Sequence, residues 1–307
     1  MRFGFGLPQG SGFDLRYDVV RVARGAERAG YSSLWVYERV LYPLEPADGM
    51  NGVPGLPWID HYRECADALT VLTLAAAVTD TVRLGTSILV APFYSSLHLA
   101  RALAALDQAS GGRVIAGFGS GWSSDEYRGM EADFGARGRT LDETVDACRA
   151  FWGTNPVSYR DSRVTVENAL VSPKPVSRIP VMLGGGRSER AVDRIARKAD
   201  GWLPSGLPAP AVADLWARIR ERAAGYGRDA DALELIPRAA VVLSETPGAT
   251  GRRPFQGSLE QVVEDVAALA GAGADEILLD LTPSAKNGDE LLDRSLEVFE
   301  ALTDARL

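Results

Sequence analysis

The segment Val181-Met-Leu-Gly-Gly-Gly-Arg-Ser-Glu-Arg runs from an apolar stretch through Gly184, Gly185 and Gly186 to Arg187 and Ser188, where a helical pattern opens. This is the composition of an anion site. Glycines let backbone N–H groups approach a phosphate, Ser188 can cap the helix, Arg187 adds charge, and the helix N-terminus supplies positive potential. The dinucleotide fingerprint is not met, because Glu189 stands where its third glycine would fall. Phosphate binding and a tight structural turn are the two readings of this loop.

Three further segments carry chemistry. In Gly117-Phe-Gly-Ser-Gly-Trp-Ser-Ser-Asp-Glu-Tyr, the missing side chains at Gly117, Gly119 and Gly121 would let a flat ring lie against the backbone, rimmed by Trp122, Asp125 and Glu126. A glycine-rich bend that serves packing alone is the alternative. Leu34-Trp-Val-Tyr-Glu-Arg ends an apolar run with the charged pair Glu38 and Arg39. Neighbours on an extended segment point to opposite faces, so one can look into a pocket while the other braces a loop; a solvated surface pair is the plain alternative. Leu84-Gly-Thr-Ser-Ile-Leu-Val-Ala-Pro-Phe-Tyr leaves a strand through small polar residues and could back an aromatic ring. Of the two histidines, His61 ends a long loop and could reach such a pocket, whereas His98 sits in a helical stripe.

These segments need a scaffold that brings loop starts to one face. Short β-rich runs at Arg2 to Leu7, Ser33 to Tyr37, Val82 to Leu89, Val114 to Gly119, Pro180 to Gly184, Gly201 to Pro204, Leu235 to Leu243 and Glu276 to Leu281 alternate with amphipathic helical stripes. One stripe, Val19 to Ala29, puts Val19, Val22, Ala23 and Ala26 on one face and stops at Gly30. Eight units in strict alternation predict an α/β fold, a single closed (β/α)8 barrel over residues 1–307, rather than an open doubly wound sheet. Val40 to Tyr62, Asn155 to Ser177 (long enough for a hairpin) and Glu245 to Gly257 exceed the minimal unit and read as insertions at the C-terminal face, walls and lids of a pocket.

The balance of 33 basic to 41 acidic side chains, with no basic run, argues against nucleic acid, so an anionic ligand must be held locally. The opening residues lack the charged and apolar regions of a signal peptide, and no apolar run is long enough to cross a bilayer. Cys65 and Cys148 have no metal-site spacing and read as core thiols. The expectation is a cytoplasmic protein without metal or membrane partner.

In their order, these segments resemble the luciferase-like monooxygenase superfamily, and in particular its F420-dependent (deazaflavin) oxidoreductase branch. The likeness extends over nearly the whole chain, through Arg2-Phe-Gly-Phe-Gly-Leu-Pro, Ala29-Gly-Tyr-Ser-Ser-Leu-Trp-Val, Leu106-Asp-Gln-Ala-Ser-Gly-Gly-Arg, Arg137-Gly-Arg-Thr-Leu-Asp-Glu, Pro173-Lys-Pro and Ala199-Asp-Gly-Trp. It implies a (β/α)8 barrel that binds F420 or FMN, usually as a homodimer, with the phosphate on Gly185 and Gly186. It also implies a bulge in the third strand with a non-prolyl cis peptide, here Ser87-Ile88, against which the ring stacks. The sugar-phosphate dehydrogenases of the superfamily carry Asp-His where this chain has Glu38-Arg39, and an acid where it has Trp122, so their reaction is not carried over.

The resulting expectation is an oxidoreductase in which reduced deazaflavin gives hydride to a small organic substrate. Glu38, which would also touch the cofactor, together with Glu126 and Tyr127, would form the proton relay. Arg39 would polarise a carbonyl or hold a carboxylate. An FMN-dependent monooxygenase using oxygen is the same-fold alternative, and a barrel that has lost its cofactor is the non-enzymatic one. Arg252 and Arg253 are candidates to hold the anionic tail of F420. By family analogy, Leu69, Leu72 and Leu99 would line a two-fold interface.

Overall fold

Strands apolar on both faces must be covered on both, and the computed structural model, which describes residues 1–307, does this by ringing parallel strands with helices. The strands are β1 (Arg2–Gly6), β2 (Ser33–Val36), β3 (Arg83–Thr86), β4 (Val114–Gly119), β5 (Val181–Gly184), β6 (Gly201–Leu203), β7 in two pieces (Glu234–Leu235 and Arg238–Ala240) and β8 (Glu276–Asp280). Each is followed by one of α1 (Asp18–Ala29), α2 (Ala68–Ala76), α3 (Ser96–Ser110), α4 (Arg137–Trp152), α5 (Glu189–Lys198), α6 (Ala209–Gly225), α7 (Leu259–Gly271) and α8 (Gly288–Asp304). The spatial order is β7-β6-β5-β4-β3-β2-β1-β8-β7, all parallel, with the first piece of β7 on β6 and the second on β8. The ring therefore closes through strand seven. At the break, Pro237 has no N–H to give, yet its carbonyl accepts from Leu278 N at 3.0 Å, while Arg238 N donates to Pro204 O at 2.8 Å.

Two apolar layers result. The larger lies between sheet and helices; the smaller fills the barrel interior with Trp35, Ile115, Met182, Leu203, Ile236 and Leu278. Trp35 lies across β1 and β3, where a Cβ on Gly4 would come within 2.5 Å of Nε1 and one on Gly85 would collide with the indole ring. Below it the floor is polar. The buried Glu276 carboxylate accepts from Ser33 and pairs with Arg83 Nη2 at 2.7 Å, and Arg83 in turn reaches Glu234 at 3.1 Å. The opposite, C-terminal ends of the strands are left to form a mouth.

Strand three departs from a single run. It stops at Thr86, passes through a cis Ser87-Ile88 peptide, and resumes at Leu89–Val90, pairing with Phe118 and Gly119 of β4. The bulge falls where the family resemblance put it. The expected Leu235 to Leu243 strand is likewise broken, at Ile236 and Pro237, and Val242–Leu243 pairs with Gln256–Gly257 in a separate ribbon.

Two expectations are corrected. The Asn155 to Ser177 insertion does form a hairpin, Val157–Arg160 with Thr165–Ala169, but it joins the end of α4 to the start of β5 and is therefore no strand-to-helix loop of the mouth. Leu72 and Leu99 are taken up by the interior, at 0% and 1% exposure, because α2 and α3 turn those faces onto the sheet. They have no surface to give to a dimer. Cys148 is buried and Cys65 half-buried, both free, and no helix is long and apolar enough to cross a membrane.

The tightest approach in the fold sets its most sensitive position. A Cβ on Gly117 would collide with the Thr86 carbonyl oxygen and lie 2.7 Å from Leu203, whereas one on Gly271 meets nothing within 4 Å. Gly117→Ala is expected to cost about 3 kcal/mol or more in urea unfolding. Gly271→Ala, which restricts only the unfolded chain, is expected to add about 0.5 kcal/mol in the same measurement.

Candidate active site

The mouth is organised around the bulge. Thr86 is locked to β4 twice, its hydroxyl donating to Gly117 O at 2.7 Å and accepting from Gly117 N at 2.9 Å. Beyond it Ile88 lies over two glycines, since a Cβ would come within 2.7 Å of its side chain from Gly119 and 3.1 Å from Gly184. Gly117, Gly119 and Gly184 thus let the third strand lean in. They leave a half-buried Ile88, with Ser87 beside it, as a raised platform over β4 and β5.

Glu38 and Arg39 do diverge. Glu38 turns to the bulge, where its Oε2 accepts from Val90 N at 2.6 Å and its Oε1 from the Tyr94 hydroxyl. Burial lifts its pKa to about 7, against the opposing pull of Tyr94, Val90 and Arg39. Arg39 turns the other way, to Glu126 at 2.6 Å, with its guanidinium 4.9 Å from the Trp122 ring centre, 5.6 Å from Tyr62 and 5.8 Å from Trp58. Cation–π attraction and one short ion pair hold it inside an aromatic cage. Burial also raises the Glu126 pKa, with Arg39 pulling it back.

Those contacts stitch two loops together. Glu126 also accepts from Val40 N at 3.0 Å, Asp125 accepts from Ala47 N at 2.8 Å and pairs with Arg128, and Asp48 accepts from Ser124 N at 2.7 Å. Trp58 packs on Trp122 with ring centres 4.6 Å apart. The loop after β2 and the loop after β4 form one wall. Tyr127 lies behind it, buried against Phe93 and Phe134, its hydroxyl donating to Ser120 O at 2.7 Å. Glu126 and Tyr127 are neighbours in sequence, yet Glu126 faces Arg39 while Tyr127 faces the apolar cluster.

Beside the wall, on the strand next to β4, the Gly184 loop leads into α5. Gly186, at φ +110°, cannot carry a Cβ because Trp202 would lie within 2.7 Å of it, and Trp202 Nε1 donates to Gly185 O at 2.7 Å. Gly185, at φ +94°, faces open space. The amides of Gly185, Gly186, Arg187 and Ser188 have no acceptor in the chain, and Ser188 caps α5 through Ala191 N at 3.3 Å. Arg187 donates to Gly206 O at 3.1 Å, and Glu189 turns outward to Arg218 and Arg222.

Next to this loop opens a cleft of about 650 Å³, lined by Ser120, Ser188, Arg137, Arg139, Arg190 and Arg194 among others. Arg194 is committed to Asp142 at 2.7 Å, and Arg137 lies over the Phe134 ring at 4.1 Å. Arg139 and Arg190 are exposed and unpaired. The sequence offered Arg252 instead, but Arg252 pairs with Asp265 on α7, a different part of the surface. No group of three or more His, Cys, Asp or Glu is placed to hold a metal ion.

Residues 1–253 match the model of the luciferase-like monooxygenases. The chain belongs to that family. Among solved structures, the monooxygenase RslO1 from Streptomyces bottropensis superposes over 100% of both chains with a TM-score of 0.83 at 20% identity, a likeness of fold. The F420-dependent glucose-6-phosphate dehydrogenase of Amycolatopsis mediterranei is 29% identical over 173 residues, 55% of this chain and 47% of that one. The FMNH(2)-dependent dimethylsulfone monooxygenase of Pseudomonas putida is 26% identical over 244 residues, 78% of this chain and 61% of that one. The family thus includes relatives of both cofactor types.

Two outcomes follow from the geometry. Glu126→Gln, which leaves the Arg39 charge buried without its partner, should cost about 3 kcal/mol in urea unfolding, and adding Arg39→Met should return at least half of that. For Glu38, a folded pKa near 7 against an ordinary 4.5 means that the folded chain holds a proton the unfolded chain releases. Its contribution is complete below the lower value and drains away as pH rises through the upper. Glu38→Gln should abolish that slope, seen as about 3 kcal/mol less pH dependence between the two values in denaturant melts.

Proposed function

We propose that this chain is an F420-dependent oxidoreductase acting between reduced deazaflavin and a small organic substrate. The observation that carries this reading is the continuity of the four acceptor-free amides at Gly185 to Ser188 with the arginine-lined cleft. A single phosphate needs only the amides; a cofactor with a phosphate followed by a long anionic tail also uses Arg139 and Arg190. The two relatives named above bracket the choice, and the extra cations favour the deazaflavin side. When bound, the reduced deazaflavin supplies hydride.

The chain's own groups would do the rest. The platform of Ser87 and Ile88, backed by Gly117, Gly119 and Gly184, would support the flat ring system. Glu38 holds Val90 and Tyr94 in place, and near neutral pH its carboxyl is able to hold or release a proton beside the platform. Arg39, Trp58, Trp122 and Glu126 would close the wall and exclude water, with Asp125 anchoring it to Ala47. Tyr127 would keep Ser120, which also lines the cleft, in position. A barrel that only binds, without turnover, has no use for a carboxyl poised in this way.

Fluorescence titration of the purified chain with oxidised F420 and with FMN tests the cofactor. F420 should bind the tighter, and Arg139→Ala with Arg190→Ala should weaken F420 by about 10- to 100-fold while changing FMN affinity by less than about threefold. Tight FMN binding with no F420 binding, together with an oxygen requirement for turnover, would replace this reading with a flavin monooxygenase.

A further inference from the structure

Glu38 is 6% exposed, and its two carboxyl oxygens have partners of unlike kind. Oε2 accepts from Val90 N at 2.6 Å, and a backbone amide passes no proton on. Oε1 accepts from the Tyr94 hydroxyl. A hydroxyl carries one donor and two acceptor sites, so it can give a proton on one side while taking one on the other. Of the hydrogen-bond partners of Glu38, Tyr94 is therefore the one able to carry its proton further.

Tyr94 stands at a boundary. Its ring packs on the apolar core and on the cluster of Val90, Phe93 and Tyr127, yet the residue is only half-buried, whereas Glu38 is sealed in. Its main chain is tied on both sides, Tyr94 N donating to Ala91 O at 3.2 Å and Tyr94 O accepting from Arg163 Nη2 at 2.8 Å. Arg163 lies in the turn of the Val157–Arg160 and Thr165–Ala169 hairpin, so the tip of that insertion reaches the start of α3. The charges that act on the pair are Arg39 and Glu126 on Glu38, and Asp67, at the start of α2, on Tyr94; the Cys65 thiol in turn feels Glu38. Burial, Glu38 and Asp67 all push the Tyr94 pKa upward, so near neutral pH the phenol keeps its proton.

We propose that the Tyr94 hydroxyl is the conduit through which Glu38 exchanges its proton with solvent, a positioning residue that acts on the reaction through Glu38. This rests on the proposed use of Glu38 as the proton-holding group of the site. As the carboxylate takes up a proton, the Tyr94 O–H bond breaks while a new O–H bond forms on Glu38 Oε1. Tyr94 Oη takes its replacement from hydronium or a buffer acid on its outer side. The hydrogen bond is then reversed, with Glu38 donating and Tyr94 Oη accepting, and release of the proton runs the same steps backwards. Tyr94 is neutral before and after, and the net change is one proton moved from solvent to Glu38. Because the phenolate is disfavoured, the two transfers run together.

The test uses the full-length chain free of cofactor, with its glutamates ¹³C-labelled at the side-chain carboxyl. The Glu38 signal is the one missing from Glu38→Gln. Its titration midpoint and, by relaxation dispersion, the rate of proton exchange at that midpoint are read separately. In the wild-type chain the rate should rise with imidazole buffer concentration at fixed pH. Tyr94→Phe, which keeps the ring and its packing, should move the midpoint upward, because the charged form loses a donor, and should slow exchange by at least about fivefold. A wild-type rate indifferent to buffer, a midpoint that Tyr94→Phe leaves in place or lowers, or a smaller slowing would each overturn the assignment. Because no cofactor is present, these results are independent of the F420 and FMN titrations.

Discussion

Everything at the mouth depends on how closely the third strand leans on the fourth. With a hydrogen on Gly117 in place of a side chain, the Thr86 carbonyl and hydroxyl both reach the β4 backbone, and the next residues are thrown inward over Gly119 and Gly184. Glu38 fixes the far end of the same bend by accepting from Val90 and Tyr94. The bend is thus held at its start by β4 and at its end by β2. A protein interior at crystal-like density transmits such a constraint with little slack.

From this fixed centre the mouth divides into three regions of different character. The wall of Arg39, Glu126, Trp58 and Trp122 is a buried cation kept by aromatic faces and one carboxylate. The cleft beside Ser188 presents unpaired arginines to solvent and suits charge. The recess beside Tyr37 is narrow, about 10 Å³, and holds the closed Arg238–Asp280 pair.

Much of this was legible in the sequence. The eight strand–helix units, the charged pair at the end of β2 and the glycine loop before Ser188 stand nearly where pattern and turn chemistry put them, because each is local. The bulge could be placed only by family likeness, since nothing in Ser87-Ile88 itself distinguishes a bend from a continuing strand. The glycines of β4 were visible as points of close approach, but not what approaches Gly117 and Gly119, which is the third strand. The arginine cleft was invisible because Arg139 and Arg190 lie about fifty residues apart and meet only when α4 and α5 pack side by side. Leu72 and Leu99 misled for the opposite reason, a helical stripe being the same whether it meets its own sheet or another subunit.

Strand seven closes the ring in two pieces, of two and three residues, with a proline at the break. Apart from the bend in strand three, the other strands run unbroken for three to six residues, so the barrel is in effect a seven-stranded band fastened by a clasp. A clasp with few ladder bonds is where the ring should breathe first, on the slow timescale that amide exchange reads. Arg238 sits on it, one side chain away from Asp280 and Tyr37. The weakest seam of the scaffold is thereby joined to the end of strand two, and an opening too brief to unfold anything would still shift Arg238 against Tyr37.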